Sequence, residues 1–361
     1  MFGRGAGPPR RPFSGPSSRP GSGSGRRWRG RPRRSDGSPG DRAFDRLLIV
    51  VRAGDLPQAR KITGGRGRGP YASAMTDPST HASRLPADLL RARVAADPSR
   101  PLVTFYDDAT GERVELSART FDNWVAKTAN LLVDELDAGP DGVRRAVLVL
   151  PQHWQTAAWL MACWAAGVET EVVDPSAIRS GDGTGEPRPS AEPYLLAVAE
   201  EVLDVVLGGE LARQADAIVG LSLHALGGPL ADAPPDVTDY ALEVRSHGDR
   251  FAPPPGVAAD DPALTVTKVT LNFAGLVRAA GESADKWGFD SSDRVLVAMP
   301  FATLDGVLAG LLAPLVSGAS VIIQRNFDKT QMERRLALEH VTAVAGLPGR
   351  DDASGSVRRL A

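Results

Sequence analysis

Cysteine is nearly absent: Cys163 is the only one in 361 residues. An intramolecular disulfide is therefore excluded, and so is a cysteine-built zinc site. Long apolar runs are missing too. No stretch approaches the roughly 18 consecutive apolar residues that a membrane-spanning helix needs. The longest early run, Leu47 to Val51, is too short for the core of a signal peptide. These absences predict a chain without a membrane span in a reducing, cytoplasmic setting. Lysine is scarce, with Lys61, Lys127, Lys268, Lys286 and Lys329 the whole supply. The five histidines, His81, His153, His224, His247 and His340, are scattered, and none pairs with a second ligand at helical spacing. No metal site is predicted.

The net charge of −2 hides an uneven distribution. Residues 1–74 carry sixteen Arg and one Lys against four Asp, a charge of +13, and the remainder carries −15. The first segment is rich in Gly, Pro, Ser and Arg, as in GRRWRGRPRRSDGSPG from Gly25 to Gly40, and lacks helical or strand periodicity before Phe44. Its apolar content does not offset the entropy of ordering the backbone, which predicts a disordered basic tail over 1–74. Two other readings stay open. The arginines and Trp28 suit contact with nucleic acid, although no repeat or folded nucleic-acid module accompanies them. The excess of Arg over Lys also suits a GC-rich coding sequence whose translation starts at Met75.

From residue 75 the text organises itself. LVTFYDDATGERVEL, Leu102 to Leu116, reads as a hairpin around Asp107–Gly111. Ser117 is placed to cap a helix, with Phe121, Trp124, Val125, Thr128, Leu132 and Leu136 on one stripe. Ala146 to Leu150 is a continuous apolar run suited to a strand covered on both faces. A helix over Gln152–Ala166 and a strand over Val168–Val173 complete a βαβ unit. A helix is expected over Tyr194–Leu207, a strand at Tyr240–Val244, and loops over 176–190 and 227–256. TVTKVTL, Thr265 to Leu271, reads as one alternating strand. The helix from Phe273 to Trp287, with Gly288 at its end, is followed by strands at Val295–Met299, Ala319–Ile323 and Val341–Ala345. Helices at Asp305–Val316 and Lys329–Glu339 lie between those strands. This succession predicts an α/β domain with parallel sheets over 75–350, then a polar tail over 351–361. Trp154, Trp159 and Trp164 step by five residues, about 140° each on a helix, so they are assigned to the core, as is Cys163. The pairs Gly208-Gly209 and Gly227-Gly228 are read as turns.

Four segments in order carry a resemblance. LSARTFDNWVAKTANLL, VLVLPQHWQTAAWLMACWAAGVETEVVDP, VLVAMPFATLDGVLAGLLAPLVSGASVII and QRNFDKTQMERRLALEHVTAVAGLP resemble successive segments of the AMP-binding, adenylate-forming superfamily. That superfamily includes the acyl-CoA synthetases, and the chain is most similar within it to a small actinobacterial family of AMP-binding-like proteins. The resemblance implies the superfamily's large N-terminal α/β domain, without the small C-terminal domain. It also implies where the chemistry would sit. The family's phosphate loop, T-S-G-T-T-G-x-P-K-G, wraps ATP with backbone N–H groups that glycine lets approach closely. Here that place reads ALTVTKVTLNF, which holds no glycine. Thr265, Thr267, Lys268 and Thr270 are its candidate remnants, and Thr303 stands where the family often has histidine. The family's Y-G-x-T-E glutamate, which handles magnesium, has no counterpart, and no lysine follows Lys329.

The expectation is a catalytically impaired acyl-CoA synthetase-like protein, with no firmly implied cofactor and no metal. It would bind a small acyl or nucleotide ligand, or a partner protein or second copy covering the exposed cleft. The alternative is a partial acid–CoA ligase that uses ATP and Mg, or binds AMP. Nucleic-acid contact through the basic tail is the remaining reading.

Overall fold

The computed structural model describes residues 85–181, 187, 192–224, 227–266, 269–347 and 357–360. The chain falls into two units, Met1–Tyr71 and Ala72–Ala361, and all described residues belong to the second. The basic-tail expectation over 1–74 lies outside the described residues.

An opening helix, α1 (Pro86–Ala96), leads into the hairpin β1 (Pro101–Asp107) and β2 (Glu112–Ser117). The Ser117 hydroxyl accepts from the Thr120 N–H and starts α2 (Ala118–Asp134), whose Phe121, Val125, Leu131 and Leu132 are buried. Next come β3 (Arg145–Val149), α3 (Trp154–Ala166), β4 (Glu169–Val173) and the short α4 (Pro175–Ser180). Every residue of α3 is buried, because the helix touches β1 on one side and β4 on the other. The three tryptophans and Cys163 are core residues. Burial raises the Cys163 thiol far above its ordinary range, so it carries no nucleophilic thiolate.

The chain continues through β5 (Leu195–Ala199), α5 (Leu203–Leu207), α6 (Glu210–Gln214), β6 (Ala217–Leu221), β7 (Thr238–Asp239) and α7 (Tyr240–Glu243). It then forms β8 (Pro262–Val266), β9 (Val269–Asn272), α8 (Phe273–Trp287) and β10 (Arg294–Val297). The helical stretch after β10 is α9 (Leu304–Val307), a π-helical segment Leu308–Leu312, and α10 (Ala313–Ser317). Last are β11 (Ser320–Arg325), α11 (Lys329–Leu338), β12 (Ala343–Ala345) and β13 (Arg358–Arg359).

Two sheets result, ordered β13-β12-β10-β11-β1-β2 and β7-β6-β5-β3-β4-β8-β9. Among the described residues only the pairs β1–β2 and β8–β9 are antiparallel. The fold is α/β with parallel sheets. No helix among the described residues is long and apolar enough to cross a membrane.

Several expectations are corrected. The helix expected over Tyr194–Leu207 begins as strand β5, entirely buried between β3 and β6. Leu and Ala favour helices locally, but the parallel pairing overrides that weak preference. The strand expected at Tyr240–Val244 is α7, because the Asp239 carboxylate accepts from the N–H groups of Ala241 and Leu242. The single strand expected at Thr265–Leu271 is the β8–β9 hairpin. Within the loops expected at 176–190 and 227–256 lie α4, β7 and α7, while residues 182–186 and 188–190 are outside the described set. The polar tail contains β13, held to β12 by Arg358 N–H to the Thr342 carbonyl at 2.8 Å.

Candidate functional site

In parallel α/β sheets, ligands bind outside the carboxyl ends of the strands, where the strand order reverses. In the seven-stranded sheet that reversal lies between β3 and β5; in the six-stranded sheet it lies between β10 and β12. The two carboxyl edges are tied together, since buried Gln152, just after β3, donates from Nε2 to the Val297 carbonyl at the end of β10 (2.8 Å). Because β8 runs parallel to β4, the turn of the β8–β9 hairpin also falls on this edge.

Past the carboxyl ends of β11 and β5 the chain's own charged groups pair with one another. Arg325, ending β11, donates from Nη2 to both carboxylate oxygens of Glu201 at 2.9 and 2.8 Å, and its Nη1 lies 3.8 Å from Asp107. Asn326 donates to both oxygens of Asp107 at 2.9 and 3.1 Å. Burial, together with the Asp107 charge, raises the Glu112 carboxyl. His153 caps α3, its Nδ1 accepting from the Gln155 N–H at 3.1 Å, and stands edge-on to Phe105 at 4.2 Å between ring centroids. Burial and the Arg325 charge hold His153 well below its usual range, so the ring is neutral; its Nε2 is buried without a hydrogen-bond partner. At the other reversal, a side chain on Gly346 (φ +73°) would stand 2.3 Å from Met299 Cγ. Glycine is therefore required at that close approach.

The candidate residues fall into three sets. Thr265 donates from Oγ1 to the buried Glu169 carboxylate at 2.6 Å, and its hydroxyl also meets the Thr270 hydroxyl at 2.6 Å. These two are brought together, on the sheet face rather than at the hairpin tip, and both hydroxyls are engaged. Thr267 and Lys268 lie outside the described residues. Thr303 is apart from them. It caps α9, donating to the Pro300 carbonyl at 2.9 Å and accepting from the Gly306 N–H at 3.1 Å. A capping role has a measurable size: Thr303→Ala is expected to lose about 1 kcal/mol in urea denaturation, and Thr303→Ser to stay near the parent. Among the described residues no group of three or more His, Cys, Asp or Glu side chains is arranged to hold a metal ion.

Sequence reasoning did not single out Gln152, Glu201 or Arg325. Gln152 reaches Val297, and Arg325 reaches Glu201, only through the packing of one sheet on the other.

The architecture matches solved acyl-CoA synthetases. One, described as a long-chain-fatty-acid CoA ligase of Rhodopseudomonas palustris, superposes with a TM-score of 0.56 at 18% identity over 74% of this chain and 64% of its own. The Brucella canis acyl-CoA synthetase gives 0.59 at 15% identity, over 76% and 51%. A salicylyl-CoA synthase / salicylate adenylyltransferase of a Streptomyces species is 26% identical over 246 residues, and the match spans 63% of this chain but 43% of that enzyme. No family model matches. The fold is thus that of the acyl-CoA synthetases of the AMP-binding superfamily. Within that class the chain belongs to the TIGR03089 family: it is 39% identical over 272 residues to the Mycobacterium tuberculosis family protein, covering 75% of this chain and all of that one.

Proposed function

We propose that this chain is an acyl-CoA synthetase-like protein that does not form acyl-adenylates and works by binding a ligand or a partner protein. One observation carries the reading. Where the resemblance places a glycine-rich loop of about ten residues, the register pairs Val266 with Val269 and leaves two residues between them. So short a connection cannot present the run of backbone N–H groups that a triphosphate requires. The flanking hydroxyls offer no substitute, because Thr265 and Thr270 are bonded to each other and Thr265 to Glu169. At the end of β11 the Arg325 guanidinium is committed to Glu201, so that counter-charge is spent within the protein rather than on phosphate.

The purified full chain is expected to give no ATP–pyrophosphate exchange above the enzyme-free blank with a panel of aliphatic and aromatic acids, salicylate included. It should also give no shift in melting temperature with millimolar ATP and Mg. Exchange above the blank that survives repurification would overturn the reading and put a partial acid–CoA ligase in its place.

A further inference from the structure

A cavity of about 510 Å³ opens between the first two turns of α1, the first half of α2, the end of α3 and residues 249–253. None of Thr265, Thr270, Thr303, Gln152, Glu201 or Arg325 lines it. It is a separate feature of the fold, and its volume lies within the usual range of small-molecule sites.

The lining is amphipathic. Phe251 contributes apolar surface beside Leu90 and Val125, which are only 2% and 6% exposed, and three arginines, Arg91, Arg119 and Arg250, stand against two carboxylates, Asp122 and Asp249. The internal pairing of these charges is incomplete. Arg91 is bonded to Asp88, and Asp249 lies 3.0 Å from Lys127 Nζ. Asp122, half-buried, has Arg119 and Arg91 as its charged neighbours. The guanidinium groups of Arg119 and Arg250 have no hydrogen bond or ion pair among the described residues. Two sets of planar donors thus border one amphipathic hollow whose lining has a surplus of one positive charge. A guanidinium meets an oxyanion through two parallel N–H donors, so the surplus fits one negative charge. A dianion would bring its second charge against Asp122 and Asp249.

We propose that this cavity binds a small organic monoanion, its charged end held by Arg119 and Arg250 and its apolar body against Leu90, Val125 and Phe251. The site is independent of the carboxyl-edge crevice, and the result of pyrophosphate exchange does not bear on it.

The test is isothermal titration of the full chain with 1-octanesulfonate and with octanoate, using octanol and inorganic phosphate as probes that each lack one half of the ligand. Saturable one-site binding of both monoanions is expected, with octanol and phosphate at least ten-fold weaker. Arg119→Ala and Arg250→Ala should each weaken both monoanions by about ten-fold. These side chains make no internal bond, so both variants should keep the parent's circular dichroism and melting temperature. Ala87→Trp, which fills the hollow from α1, should abolish binding while the arginines remain. Octanol binding as tightly as the monoanions, phosphate binding as tightly as they do, no saturable binding at millimolar concentration, or monoanion binding unchanged in the arginine variants or in Ala87→Trp would each overturn the proposal.

Discussion

Trp164→Ala is expected to cost about 3–5 kcal/mol, the range for deleting a fully buried large aromatic side chain. In a domain of this size that lowers the melting temperature by roughly 10 °C. The indole is wholly buried. Its N–H reaches the Thr170 hydroxyl at 3.0 Å and the Ala263 carbonyl at 2.9 Å, and Thr170 itself donates to that carbonyl at 3.1 Å. One ring therefore fastens α3 to both β4 and β8. Removing it opens a cavity at the base of the hairpin that stands where the phosphate loop would be, and takes a donor from a buried carbonyl. Trp164→Phe shifts the balance between the two effects, since it loses the N–H but leaves a smaller cavity than alanine; a loss of about 1–3 kcal/mol is expected. Thermal denaturation followed by circular dichroism reads both. Equal melting temperatures for the alanine variant and the parent would show that α3 is not the centre of the core.

The elements legible in the sequence were those with a local signature. Ser117 announced α2, Gly288 ended α8, and the polar turn at Asp107–Gly111 gave the hairpin, because caps and turns are written within a few residues. Strand β5 was not legible as a strand. LLAVA has no polar alternation, and five buried residues cannot be told from a helix segment by period; its neighbours β3 and β6 decide. Likewise the β8–β9 reversal rests on a pairing of Val266 with Val269 that the alternating text TVTKVTL does not reveal. The candidate site divides in the same way. Resemblance singled out Thr265, Thr267, Lys268 and Thr270 as candidates. That Thr265 is bonded to Glu169, 96 residues away, or Arg325 to Glu201, 124 away, is a property of the packed sheets, and no spacing rule reports it.

Glu339→Ala should cost about 1–3 kcal/mol, because it takes a buried acceptor from Tyr106, Arg294 and Arg113, while Glu115 still lies 2.7 Å from Arg113 and 3.5 Å from Arg294. Glu339 follows α11 and is 7% exposed. It accepts from the Tyr106 hydroxyl and from Arg294, and Arg113 Nε reaches it at 3.1 Å. Arg335 lies 4.1 Å over the Tyr106 ring and 2.7 Å from Asp108. These groups fasten α11 to the face of the six-stranded sheet, beside a small apolar cluster of Leu296, Ile322, Met332, Val341 and Leu347. Burial pushes the Glu339 carboxyl up, but the hydrogen bonds from Tyr106 and Arg294, with the charges of Arg294 and Arg113, outweigh it and leave it below the ordinary range. The sign of the pH dependence follows. A carboxyl depressed in the folded state contributes stability above its unfolded value, and loses it as pH falls through the folded one. The difference in stability between the parent and Glu339→Gln should therefore be full at pH 7 and shrink from about pH 4.5 downward. Urea denaturation at pH 7, 5, 4 and 3 measures it. A gap that stays constant over that range would mean that packing, rather than ionised Glu339, holds α11 to the sheet.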